Sequence, residues 1–131
     1  MDFTRKRRWV KDGHRTPNPR TSCYAGVVSR ESIIIALTYA ALQKIYVKAA
    51  DIQNAYLQAP SSDKKIIYCG EEFGLEHADN VALIRRALYG GKAAGRDFWH
   101  HLQSCMENLQ FKSSRADPDV WIRPARRKDG T

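Results

Sequence analysis

Residues 47 to 60 read VKAADIQNAYLQAP. The first half of this stretch, with Ile45 and Tyr46 before it, is rich in β-branched and small apolar side chains, which suits a buried strand over residues 45 to 52. That strand gives way to a turn at a carboxylate, Asp51, and the chain from Asn54 to Pro60 breaks away. Burying a carboxylate without a partner is costly, so Asp51 is expected to be exposed, hydrogen-bonded or bound to a cation. Taken alone, a strand-terminating Asp that accepts backbone N–H bonds accounts for it more simply.

Upstream, Ser29 can cap a helix whose Glu31 suits the positive end of the dipole, and Ile33, Ile34, Leu37, Ala40 and Ala41 follow at helical spacing. An amphipathic helix over 30 to 43 is expected. Before it lies a basic arm: RKRRWVK, residues 5 to 11, suits a short charged strand, and Gly13, Pro17, Asn18 and Pro19 force an irregular connection. Downstream, KIIYC (65 to 69) and VALIRRAL (81 to 88) are strand candidates on either side of a Gly-containing acidic loop, a hairpin pattern. After Gly90 and Gly91 a second helix is expected from Ala93 to about Gln110, with Phe98, Leu102, Cys105 or Met106, and Leu109 on one face. The strand-like VWIR near Trp121 precedes a basic tail. The sum is an α+β fold, a mainly antiparallel sheet with two principal helices, a plan common to polymerase palms and small RNA-binding modules.

With 131 residues, one domain with a single core is expected. Apolar residues at 43% and charged residues at 27% fit a globular chain and argue against disorder. The net charge of +8 sits at the ends: residues 1 to 30 hold eight Lys/Arg against two Asp/Glu, and residues 112 to 131 hold six against three. Basic arms on a near-neutral body point to an anionic partner, nucleic acid ahead of a merely solvated surface, because neutralising phosphates releases counterions. Cys23, Cys69 and Cys105 lack the spacing of a zinc site or a disulfide scaffold. No stretch approaches about 18 consecutive apolar residues, and the N-terminus has charges where a signal peptide needs apolar residues. An intracellular protein, cytoplasmic or nuclear and with no membrane partner, is expected.

The heptapeptide Asp51-Ile52-Gln53-Asn54-Ala55-Tyr56-Leu57 resembles the first catalytic motif of reverse transcriptases, and the form it takes in copia-type retrotransposons is closely similar. In that family the Asp binds both divalent ions and the aromatic under the incoming sugar rejects a 2′-hydroxyl. The resemblance implies that Asp51 is the catalytic and metal-binding carboxylate and that Ile52, Ala55 and Tyr56 line the nucleotide. Leu88-Tyr89-Gly90-Gly91-Lys92-Ala93-Ala94-Gly95-Arg96 is similar to the family's Leu-Tyr-Gly segment, which makes Tyr89, Gly90, Lys92 and Arg96 template-primer contacts. It departs from the family at Gly91, where Leu is usual, and at Ala93 and Gly95, where Gln and Pro are usual. Lys6 to Gly13 is similar to the family's basic fingers strand and puts Arg8 on the triphosphate, where a guanidinium can hold phosphate in two places. Phe111 to Trp121 resembles the segment leading into the second catalytic strand, with Asp117 and Asp119 as turn formers.

By this resemblance residues 1–131 are a single partial reverse transcriptase domain. About 5–28 and 60–92 are fingers-like, 29–59 and 93–124 are palm-like, and 125–131 are a basic tail. The implied cofactor is a pair of Mg²⁺ ions roughly 3.5 to 4 Å apart. The implied partners are an RNA template, a DNA primer, deoxynucleoside triphosphates and the remainder of a Gag-Pol polyprotein, with the family's virus-like particle as one setting. No Tyr or Phe, any residue, Asp, Asp sequence occurs in the chain, so the fragment is expected to be inactive alone and to expose an unpaired strand edge. The alternative is a noncatalytic nucleic-acid-binding α/β module. His14, His77, His100 and His101 lack metal-site spacing, and Trp99 and Trp121 suit packing better than base stacking. Arg85, Arg86, Lys92 and Arg96 bracket the Gly turn and suit phosphate contact and a solvated strand end equally.

Overall fold

The computed structural model describes residues 10–19 and 22–125. Two compact units emerge, each discontinuous in sequence: one from 54 to 101 with the described part of the first 24 residues, the other from 25 to 53 with the described part from 102 onward. Arg8 and residues 126–131 lie outside the described residues, as does most of the expected basic strand. No helix among the described residues is long and apolar enough to cross a membrane.

The second of these units contains α1 (Arg30–Leu42), which begins where the sequence puts it. The Ser29 hydroxyl accepts the Ser32 N–H at 3.1 Å, and Glu31 lies in the first turn. Its expected amphipathicity fails. None of its residues is buried, and Ile33, Ile34, Ile35, Leu37 and Tyr39 are all exposed. Three consecutive isoleucines advance about 100° each, so the apolar side chains wrap the axis instead of forming one stripe.

The first unit is built on a hairpin. β1 (Pro60–Tyr68) pairs antiparallel with β2 (Val81–Arg86), with Ile66 opposite Leu83 and Tyr68 opposite Val81. β1 starts ahead of the Lys65 expected from the apolar run, and its register slips between Pro60 and Lys65, which lets a polar segment join the ladder. Proline can open a strand because the first residue need not donate to the ladder. Just before it, the stretch from Asn54 that breaks away from the expected strand contains one helical turn, α2 (Ala55–Gln58), entered through Asn54 in the left-handed region at φ 52°. Asn tolerates that conformation better than most residues. The unit's core is small: Ala59, Ala87 and Ala94 are buried, with Tyr56 and Phe98 packed against them.

The expected buried strand over 45 to 52 is also absent: the segment is irregular and exposed, with Tyr46 94% accessible. Strand geometry is held by pairing, and the described strands form two two-stranded sheets, neither of which includes it. α3 (Ala94–Asn108) runs from the first unit into the second, within the range expected for the second helix. The strand expected around VWIR is two residues long, β4 (Trp121–Ile122), paired with β3 (Lys112–Ser113).

Candidate functional site

Tyr56 is presented by α2, where a single turn after a left-handed Asn carries the side chain into the core of the first unit. Its ring lies 5.0 Å from that of Tyr89 and 6.1 Å from that of Phe98, tilted against the first and edge-on to the second. Such arrangements satisfy the ring quadrupoles, and the small side chains of Ala59, Ala87 and Ala94 leave room for the three rings. Two segments far apart in the sequence, Asn54–Gln58 and Leu88–Gly91, thus meet through Tyr56 and Tyr89.

The glycine turn is pinned by the arm. The Lys11 N–H donates to the Tyr89 carbonyl at 2.7 Å, and Gly90 has φ 78°, a region that side chains rarely adopt. A Cβ on Gly90 would collide with the Lys11 carbonyl, and a Cβ on Gly13 with the Gly90 carbonyl. The close approach that Gly90 permits is therefore made by the chain's own backbone.

The cations beside the turn are engaged within the unit. Lys92 Nζ donates to the Thr16 carbonyl at 2.7 Å and to Asn18 Oδ1 at 2.8 Å, which ties the arm down a second time. Arg96 is buried and donates to the Ser22 carbonyl at 2.8 Å, to Asp97 Oδ1 at 3.0 Å and to the Ser62 hydroxyl. Asp97 in turn accepts the Ser62 N–H at 2.9 Å and the Ser62 hydroxyl at 2.6 Å. Burial pushes the Asp97 carboxyl up, but the two Ser62 bonds and Arg96 more than offset this and leave it below the usual carboxylate range. Nearby, Lys11 pairs with Asp63 at 3.3 Å, and Lys65 reaches the same carboxylate at 3.5 Å. Lys11, Ser61, Asp63, Gly91 and Asp97 border a cavity of about 20 Å³, room for one water. Of the other arginines, Arg86 donates to the Gln58 carbonyl at 2.8 Å and Arg85 is exposed.

Asp51 and Ile52 belong to the second unit, both exposed on the irregular segment, whereas Ala55 and Tyr56 belong to the first. No group of three His, Cys, Asp or Glu side chains able to hold a metal ion exists among the described residues. The carboxylates of the described residues do not make a two-Mg²⁺ centre: Asp51 offers one donor group, and a pair of ions that close needs several. The histidines stay outside any such cluster: His14 Nδ1 is 2.6 Å from Asp12, His77 is 3.9 Å from Glu76, and the His100 ring packs on Trp99.

Asp117 does more than form a turn. Its Oδ1 accepts the Asp119 N–H at 3.1 Å, as expected of an Asp before Pro, but its Oδ2 accepts the Ser29 N–H at 2.9 Å and the Ser32 hydroxyl at 2.7 Å. The Ser32 hydroxyl above all, with the Ser29 backbone, holds this carboxyl far below the usual range. The only trace in the sequence was the pair of serines at the helix start. The Ser62–Arg96–Asp97 network had no local signal, because its members come from a strand and a helix that lie far apart in the chain.

No family model matches the chain, and no solved structure matches it significantly. Two curated proteins do, both from Arabidopsis thaliana and both described as retrovirus-related Pol polyproteins, from transposons RE2 and RE1. The chain is 26% identical to the first and 28% to the second over 102 residues, 76% of its own length. The match spans 7% of each relative's length. These similarities support a retrotransposon Pol origin for the chain.

Proposed function

We propose that this polypeptide is the fingers and front palm of a copia-type reverse transcriptase, and that the 131-residue chain does not extend a primer by itself. The observation that carries the proposal is the juxtaposition of Tyr56 with Tyr89, which joins the two motif-like segments in one aromatic cluster. The similarity to two transposon Pol polyproteins supports the same reading, and so does the division into two units that alternate along the sequence, as fingers and palm segments do.

In this proposal Tyr56, held between Tyr89 and Phe98, is a stiff wall against which a nucleotide sugar is judged, and a 2′-hydroxyl meets the ring. Lys92 and Arg96 fix the arm and the glycine turn and so position the template-primer side of the pocket through the backbone. Asp51 would contribute one carboxylate to a metal centre whose further ligands are not found among the described residues. The RNA template, the DNA primer and deoxynucleoside triphosphates are the partners, within a larger polyprotein.

The test is a chimera in which residues 10–125 replace the corresponding segment of an active copia-type reverse transcriptase. RNA-directed DNA synthesis is expected, lost on Asp51→Asn and made tolerant of ribonucleotides by Tyr56→Val. A soluble chimera that still binds an RNA–DNA hybrid but makes no DNA would overturn the assignment. Primer extension by the 131-residue chain alone with Mg²⁺ would refute its inactivity. A noncatalytic nucleic-acid-binding α/β module is the second reading, favoured by the exposed Asp51 and the absence of a metal-ligand cluster among the described residues. It expects hybrid binding by the chain that weakens about tenfold or more between roughly 50 and 200 mM salt, and no activity in the chimera.

A further inference from the structure

The β1–β2 hairpin has one face turned to solvent. Side chains alternate along a strand, and the outward positions are Lys64, Ile66 and Tyr68 on β1 and Val81, Leu83 and Arg85 on β2. Tyr68 is 77% exposed, and Ile66, Val81 and Leu83 are exposed with it. Two apolar rungs, Ile66 with Leu83 and Tyr68 with Val81 at the end of the ladder, therefore stand uncovered. Around them charge is ordered along the strands. The open end carries Lys64 and Arg85 outward, while Asp63 on the opposite side is already matched by Lys11 and Lys65. The connecting end carries Glu71, Glu72, Glu76 and Asp79, all exposed.

A face that is cationic at one end and apolar beyond it, with an anionic connection following at the other end, is complementary to itself when a second copy is turned end for end. We propose that this hairpin face is a self-association surface, on which two copies of the chain pack face to face about a two-fold axis crossing the strands between residues 66 and 68. That axis puts Ile66 of one copy over Tyr68 of the other and Leu83 over Val81. It brings Lys64 over the Gly70–Glu71 step and Arg85 over the neighbourhood of Asp79. Packed sheets lie about 10 Å apart, a gap that long basic side chains can bridge. The contact is isologous, so it closes at the dimer and each charge pair occurs twice. A single strand of nucleic acid fits this face less well, because the connection that follows Tyr68 carries four exposed carboxylates, which repel phosphates. Self-association of this kind does not depend on the polymerase assignment, and a failed chimera leaves it intact.

The experiment is sedimentation equilibrium of the full chain over a range of concentrations, with two charge-reversal variants, Lys64→Glu and Glu71→Lys. The wild-type chain is expected to dimerise, and more weakly as salt rises. Each variant alone is expected to dimerise about tenfold or more weakly, because like charges then face each other in both symmetry-related contacts. Mixing the two variants is expected to restore dimers. In the mixed dimer the new carboxylate at position 64 of one copy faces the new ammonium at position 71 of the other, while the unaltered Lys64 and Glu71 still pair across the axis. Self-association through other apolar surface would be indifferent to which variants are mixed. A monomeric wild-type chain, variants that dimerise as the wild type does, or a mixture that stays dissociated would each overturn the proposal. So would a monomer that binds single-stranded RNA and loses that binding on Lys64→Glu.

Discussion

Gly90 adopts φ 78° with the Lys11 carbonyl packed where a side chain would begin. Gly90→Ala is therefore expected to destabilise the first unit by about 2 kcal/mol or more, from backbone strain plus displacement of the arm. Gly70→Ala is the control, because its φ is −87° and the nearest atoms its Cβ would meet belong to the flexible carboxylate of Glu72. Urea titration of the two variants checks the difference, and equal midpoints would show that arm and turn do not touch. At this scale the sequence was partly legible. Asp51 and Tyr56 stood out through their spacing, and Gly90 through its place in a turn. What the residues touch was not legible, because Lys92 and Arg96 read as surface cations until Thr16, Asn18, Ser22 and Ser62 are folded against them.

Asp117 joins the start of α1 to the turn before β4, and the ionised form is what its donors recognise. A carboxyl held below its unfolded value stabilises the fold fully above about pH 4, and that contribution is lost progressively as pH falls further toward the depressed folded value. The second unit should thus lose stability below about pH 4, and Asp117→Asn should lower stability at about pH 7 while flattening the acid dependence. Helix circular dichroism during urea titration at about pH 7 and about pH 3 measures both, and an unchanged acid limb in the variant would contradict the assignment. Elements with local determinants were the legible ones. The Ser29 cap marked the start of α1, and the helical pattern before the Phe111 turn located α3. The segment 45 to 52 has the composition of a strand without being one, because β propensity reports what suits a sheet, whereas membership depends on a neighbouring strand elsewhere in the chain.

Across the whole molecule the balance between buried and exposed apolar surface is unusual. No large side chain among the described residues is fully buried, while the isoleucines of α1, the chain from Ile45 to Val47 and the hairpin face are open to solvent. Exposed apolar area of this extent marks interaction surfaces or an aggregation liability. The isolated chain is expected to bind an environment-sensitive hydrophobic dye in its native state and to melt over a broad range. A sharp transition without dye binding would count against it. The division into two units was not visible in composition or periodicity, because each is stitched from distant segments. The link from Ser32 to Asp117 spans 85 residues, and it has a consequence for biosynthesis. At about 5 to 20 residues per second, a ribosome delivers Asp117 roughly 4 to 17 s after Ser32. Until Asp117 has followed it out of the exit tunnel, the first turn of α1 lacks that carboxylate, and an apolar nascent helix in that state is a target for chaperones that hold unfinished chains.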